Sequence, residues 1–211
     1  MDSSKIQGLA QNRGIGSALG KANSRRALIL DRDGVINVDK GFVYKQEDIE
    51  WIPGIFDLCQ AFQGEGYVIT VVTNQSGVAR GLYSEEHVNG LHAWMSGEFE
   101  KRGISIAKFY YCPHLPDGTH DQYSRVCACR KPAPGMILQA KMEFGLDMAA
   151  SVLVGDRKSD IEAAIAAGVG SAYQISREQK EQLNFAIYEA DVPSELRKAL
   201  EAYKNSYSIV L

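Results

Sequence analysis

The chain has 211 residues, 45% of them apolar and 23% charged, the make-up of an ordinary globular protein with room for one buried core. A formal net charge of -3 and a sequence pI of about 5.8 leave no broad basic face for a phosphate backbone, so nucleic acid is not expected as a partner. No apolar run approaches the roughly 20 residues that span a bilayer, and the N-terminus lacks the apolar stretch of a secretion signal, so a cytoplasmic protein without a membrane partner is expected.

Residues 1–26 are rich in Gly, Ser, Asn and Gln and carry no sustained periodicity. They read as a flexible leader, with a single domain over 27–211. Gly14, Gly16, Gly20 and Lys21 suggest a phosphate-binding loop, but a Walker motif needs Gly at 15 and Ser or Thr at 22, where Ile15 and Ala22 stand, and no strand precedes them. Strand and helix signals alternate from 27 onward. Residues 27–30 read as a buried strand ending in Asp31-Arg32-Asp33-Gly34, and a helix starts near Pro53, with Ile55, Leu58, Cys59 and Phe62 on one face and Gly64 and Gly66 as its stop. A strand over 67–72 runs into the loop Thr73-Asn74-Gln75-Ser76-Gly77. Ser84 opens a helix to about 102, and 109–111 supplies a strand before a cysteine-rich loop. A helix over 134–144, a strand over 151–154 ending in Gly155-Asp156, a helix over 160–167, a strand over 171–175 and a helix over 192–204 complete the series. Such alternation predicts an α/β fold whose parallel sheet is covered on both faces. Ligands bind such sheets beyond the carboxyl ends of the strands, and three predicted strands end there in polar clusters, at Asp31, Thr73 and Asp156.

Two carboxylates two residues apart, where a buried strand leaves the sheet, suit phosphoryl chemistry. Asp31 can attack phosphorus to form an acyl-phosphate, and Asp33 can protonate the leaving alcohol and then activate water. A phosphate monoester is a dianion, so the site needs a hard cation; Mg2+ takes oxygen ligands, here Asp31, Asp33 through its main-chain carbonyl, and Asp156. By itself Asp-x-Asp-Gly is also a common turn. An EF-hand is excluded, because Gly34 falls at the fourth position instead of the sixth and Phe42 stands where a bidentate Glu belongs. Thr73 and Asn74 offer neutral donors to a phosphoryl oxygen, Lys131 can pair with both the nucleophile and the transferring group, and Asp160 can cap its helix or orient Lys131.

With these four elements in this order, the stretch from about 27 to 175 resembles the haloacid dehalogenase superfamily of phosphatases. The resemblance implies a three-layer Rossmann-like core, an aspartyl-phosphate and one magnesium ion.

Cys112-Pro113-His114 is followed, after twelve residues, by Cys127-Ala128-Cys129. Three thiolates and one imidazole match a closed structural Zn2+ site, and the intervening loop has almost no apolar content that could hold it otherwise. Zinc there would fix Arg130 and Lys131 over the phosphate site. Cys59, on an apolar helix face, reads as packing.

The strings Tyr110-Tyr111-Cys112-Pro113-His114 and Val126-Cys127-Ala128-Cys129-Arg130-Lys131-Pro132, together with Val71-Val72-Thr73-Asn74-Gln75-Ser76-Gly77, narrow the resemblance to the D-glycero-D-manno-heptose 1,7-bisphosphate 7-phosphatase family, itself similar to the histidinol-phosphatase domain. The narrower resemblance implies Asp31 as nucleophile, Asp33 as acid and base, Thr73 and Lys131 as stabilisers of the phosphoryl group, and Arg130 as a substrate-recognition residue. It further implies a sugar phosphate lined by Asp39, Lys40, Gly41 and Phe42 and by Thr73, Asn74, Gln75 and Ser76, and a compact monomer with no large cap domain. Arg157 stands where a Lys is common next to the magnesium site. The competing readings are a histidinol-phosphate phosphatase on the same core and, from another class, a zinc-organised module binding RNA.

Overall fold

Strand β1 (Ala27–Leu30) has no solvent face: Leu28 and Leu30 point into one apolar cluster, and Ala27 and Ile29 into another. A strand buried on both sides needs helices above and below its sheet. The structure, a computed structural model, describes residues 25–175, 185–186 and 192–207, and it supplies both layers. Strands β2 (Val68–Asn74), β3 (Ile106–Cys112), β4 (Val152–Gly155) and β5 (Ser171–Gln174) run parallel with β1, and the two-residue β6 (Phe185–Ala186) adds antiparallel at the edge, giving the order β3-β2-β1-β4-β5-β6. Helices α1 (Ile55–Gly64), α2 (Glu85–Glu100) and α5 (Ser194–Tyr207) pack on the Leu28 and Leu30 side through Phe62, Phe99 and Leu196, among others. On the Ile29 side lie α3 (Gly135–Phe144) and α4 (Lys158–Ala167), through Ile137, Ala140 and Ala164. The expected three-layer α/β core is therefore present. The two long excursions, 31–54 after β1 and 113–134 after β3, fold against the sheet's carboxyl edge and form no cap domain.

Element ends differ from expectation in ways that bear on the site. β2 continues through Thr73 and Asn74, which pair with Tyr111 and Cys112 of β3, so these two polar residues sit on the strand and not in a loop. α4 begins at Lys158, two residues before 160, because the extended Arg157 is its N-cap and the Arg157 N–H donates to Asp160 Oδ2 at 2.9 Å. β3 starts at Ile106, ahead of the aromatic run, and β6 is too short to leave a periodic signal. Most of the expected leader, 1–24, lies outside the described residues. Arg25 and Arg26 are tied to the domain: Arg25 bridges to Leu146, and the Arg26 guanidinium lies 4.4 Å over the Tyr67 ring. Among the described residues no helix is long and apolar enough to cross a membrane.

Candidate active site

β1 and β4 are neighbours whose chains leave to opposite faces of the sheet, towards α1 and α4, which opens a crevice between their carboxyl ends. Asp31 leaves β1 with its N–H still donating to Val154 O at 3.0 Å, so the sheet fixes its direction. Its Oδ1 accepts the Arg32 N–H at 2.7 Å and lies 2.9 Å from Lys131 Nζ. Lys131 is buried; its Nζ also lies 2.7 Å from Asp160 Oδ1 and donates to Val72 O at 2.8 Å, three partners for three protons. Asn74 on β2 clamps the same residue by its main chain, accepting the Lys131 N–H and donating to Lys131 O, each at 3.1 Å.

Asp156 follows β4, and carboxylate oxygens of Asp31, Asp156 and Asp160 lie within 4.8 Å of one another. Burial, and then the neighbouring carboxylates, push Asp156 up to about 7; burial also lifts Asp31, to about 6, against the pull of Lys131. Asp156 Oδ1 is buried and has no hydrogen-bond partner among the described residues. One ammonium against three carboxylates, with an orphaned oxygen among them, is the donor set of a hard divalent cation, and Mg2+ fits it. The glycines beside these acids are close approaches. A Cβ on Gly34, whose φ is +87°, would lie 2.3 Å from Asp156 Oδ2, and one on Gly155 would lie 2.3 Å from Asp160 Cβ.

Asp33 faces a different network. Arg32 holds it through Nε at 3.1 Å and NH2 at 2.9 and 2.7 Å, Asn37 Nδ2 donates at 3.0 Å, and Gln75 Nε2 donates at 2.9 Å. Burial alone would raise its pKa, but the Arg32 guanidinium and the Asn37 and Gln75 amides bring it below the usual carboxylate value. Its carboxylate is thus not part of the Asp31, Asp156 and Asp160 group. Gln75 also donates to Thr73 Oγ1 at 2.9 Å and accepts from the Tyr83 hydroxyl at 2.8 Å, so it links two site residues and is itself buried.

Asp31, Asp33, Thr73, Asn74, Gln75, Lys131 and Asp160 line a cleft of about 540 Å³ together with Asp39, Gly41, Phe42, Ser76 and Arg130. Lys40, expected beside the substrate, instead pairs with Glu50 at 3.1 Å on the surface and does not line the cleft. Arg157 donates to Asp39 Oδ2 at 2.8 Å and keeps Nε 3.8 Å from Asp156 Oδ2. Sequence reasoning passed over the lining residues Arg80 and Tyr83, and Arg32 and His92 behind Asp33. His92 left a signal, a histidine within the buried α2 stripe of Val88, Leu91, Met95 and Phe99.

At the end of β3, Cys112, His114, Cys127 and Cys129 converge as expected. The three sulfurs are 3.2, 3.2 and 3.5 Å apart, and His114 Nδ1 lies 3.3 Å from Cys129 Sγ and 3.5 Å from Cys112 Sγ. Those separations approach the ligand-to-ligand spacing of about 3.8 Å that tetrahedral Zn–S bonds give. The loop is anchored by Glu85 at the start of α2, which accepts the hydroxyls of Tyr111 at 2.6 Å and Tyr123 at 2.7 Å. A Cβ on Gly135 would meet Ala128 O at 2.3 Å, so α3 starts directly on the loop's backbone.

Residues 128–190 match the HAD-hydrolase-like family model. The D-glycero-beta-D-manno-heptose-1,7-bisphosphate 7-phosphatase of Yersinia pestis is 46% identical over 145 residues, 69% of this chain and 77% of that one. This chain belongs to that phosphatase family. It is a haloacid dehalogenase-type phosphoric monoester hydrolase. A member from Campylobacter jejuni, named for the alpha form of the heptose bisphosphate, is 47% identical over 74% of this chain and 86% of its own. Among solved structures, the D,D-heptose 1,7-bisphosphate phosphatase of B. bronchiseptica, complexed with magnesium and phosphate, superposes with a TM-score of 0.67 at 28% identity, covering 85% of this chain and 99% of that one.

Proposed function

We propose that this heptose bisphosphatase-family enzyme removes the 7-phosphate of D-glycero-D-manno-heptose 1,7-bisphosphate through a phosphoenzyme on Asp31. The observation that carries the reading is Asp31 held at the strand end beside a buried lysine and two further carboxylates. Asp31 Oδ1 is committed to Lys131 and the Arg32 N–H, whereas Oδ2 accepts no hydrogen bond among the described residues and is the attacking atom. As the bond from Asp31 to phosphorus forms, the ester bond breaks, and the leaving alkoxide takes a proton from Asp33, which has to take that proton up from solvent when the dianionic substrate binds, because Arg32, Asn37 and Gln75 favour its ionised form. Water then attacks phosphorus, gives its proton to Asp33, and the Asp31 carboxylate departs as inorganic phosphate is released. Lys131 faces the charge that grows on the phosphoryl group, with the Thr73 hydroxyl beside it.

Asp31, Asp156 and the Asp33 main-chain carbonyl would hold Mg2+, which would supply the positive charge that lets a dianionic phosphate approach a carboxylate. Cys112, His114, Cys127 and Cys129 would hold a structural Zn2+, which would touch no reacting atom and would stiffen the turn that carries Arg130 towards the sugar phosphate and Lys131 to Asp31.

Phosphate release is to be measured on both anomers of the bisphosphate and on histidinol phosphate, with the wild type and Asp31→Asn. The expected result is a kcat/KM at least about tenfold higher on one heptose anomer than on histidinol phosphate, abolished by the substitution. Release that survives Asp31→Asn refutes the nucleophile, and preference for histidinol phosphate refutes the substrate. The anomer is decided by the same assay, because relatives named for the beta and alpha forms are 46% and 47% identical to this chain.

A further inference from the structure

Arg32 is an unusual residue to find between two functional aspartates, because it is fully buried. A buried guanidinium is costly unless its donors are met and its charge is balanced. Here the fork is shared three ways. Nε and NH2 take the Asp33 carboxylate, NH2 also donates to Val43 O at 2.7 Å, and NH1 lies 3.2 Å from His92 Nε2. Val43 closes the 39–42 segment of the cleft mouth, and His92 belongs to α2. A guanidinium only donates, so the His92 ring accepts at Nε2 and is neutral; burial and the Arg32 charge push its pKa down to about 3. The ring has no freedom to turn, stacked on Phe109 at 4.6 Å and edge-on to Tyr111 at 5.8 Å.

We propose that His92 and Arg32 are positioning residues: the fixed imidazole orients a buried guanidinium, and that guanidinium aims Asp33 at the leaving oxygen while tying it to the loop at the cleft mouth. The inference rests on the assignment of Asp33 as acid and base made above. A lysine cannot replace the fork, because it carries its charge at one point and cannot reach Asp33, Val43 and His92 in one plane. Neither residue lines the cleft, so their effect is chiefly on the chemical step, with a smaller one on substrate capture through the tie to Val43.

The test uses the full chain with Mg2+ and the heptose bisphosphate, comparing His92→Leu, which has no acceptor, with His92→Gln, whose Oε1 can take the place of Nε2. His92→Leu is expected to lower kcat at least about tenfold while KM stays within about threefold, and His92→Gln to return kcat to within about threefold of wild type. Arg32→Lys should resemble His92→Leu; if it does not fold, the two His92 variants carry the test. A folded His92→Leu enzyme with wild-type kcat, or a Gln variant as impaired as Leu, overturns the proposal. If Asp31→Asn abolishes release while His92→Leu is unaffected, only this inference fails; if Asp31→Asn retains release, the reading of the site fails and this inference with it.

Discussion

Lys131→Met removes a charge and keeps a comparable volume, which makes it the sharpest probe of the site's electrostatics. The wild-type ammonium is buried at 2.9 Å from Asp31, 2.7 Å from Asp160 and 2.8 Å from Val72 O. Removing one member of a buried ion pair costs about 3–5 kcal/mol, because the remaining charge is stranded. Here protonation offsets part of the cost, since Asp31 and Asp156 already sit at about 6 and 7. The loss should therefore be near 3 kcal/mol at pH 8 and smaller at pH 6. In a domain of this size that is about 6–12 °C in Tm by calorimetry on the metal-free protein. Saturating Mg2+ should recover part of it by supplying the missing positive charge. Activity should not recover, because the cation facing the transferring phosphoryl group is gone; kcat for phosphate release should fall at least about 100-fold. A variant with unchanged Tm and kcat within about threefold of wild type would show that Lys131 neither balances the carboxylates nor acts on the reaction.

The pKa values of Asp31 and Asp156 are raised above the ordinary 3.8 in the metal-free fold, so their contribution to stability is fully present below about pH 4 and is lost as pH rises from there through about 6 and 7. Protons and Mg2+ compete for the same oxygens, so calorimetric Mg2+ titrations should give proton release and an affinity that weakens as pH falls from 8 to 6; a pH-independent affinity contradicts the assignment of these carboxylates. Gly34→Ala forces a Cβ to 2.3 Å from Asp156 Oδ2 at a φ of +87°, and it should weaken Mg2+ binding at least about tenfold with a stability loss of about 1–3 kcal/mol; wild-type Mg2+ affinity would mean that Asp156 is not a ligand. Metal analysis of purified protein should find about one Zn2+ per chain, and Cys129→Ser should lose it and lower kcat while the Asp31→Asn protein retains it; a zinc-free wild type that remains fully active rules out the structural role.

Much of this was legible in the sequence because strand ends carry the chemistry. A buried apolar run followed by Asp31 fixes both the strand and the direction of the carboxylate, and the spacing of Cys112, His114, Cys127 and Cys129 names a metal site without reference to the fold. Asp33 and Gln75 are harder to read, since their partners, Arg32, Asn37 and Tyr83, come from two separate turns whose juxtaposition no periodicity encodes. Lys40 was placed in the cleft as part of a continuous segment; a loop turning through Gly41 and the positive φ of Phe42 does not present consecutive side chains on one side. The apolar run of β2 ends at residue 72, yet the strand pairs on through the polar Thr73 and Asn74, which face the site from its carboxyl end.

The lysine that neutralises the site lies on neither a strand nor a helix, and a loop residue that must meet two carboxylates within 3 Å needs its backbone restrained from outside. Three restraints converge on it: the two Asn74 amide bonds at its own peptide groups, the Cys129 end of the Cys/His cluster two residues upstream, and α3, whose Gly135 abuts Ala128 O. The Cys112 end of that cluster is in turn part of β3 and paired with Asn74, so the Cys/His loop and the amide clamp are two ends of one brace running from the sheet edge to the ammonium. The brace sets the ammonium 2.9 Å from Asp31 and 2.7 Å from Asp160 through the fold of the core itself. On the proposed mechanism, what must still be set at the moment of reaction is the proton on Asp33, whose carboxylate is tied to Arg32, Asn37 and Gln75 and not to the group of Asp31, Asp156 and Asp160.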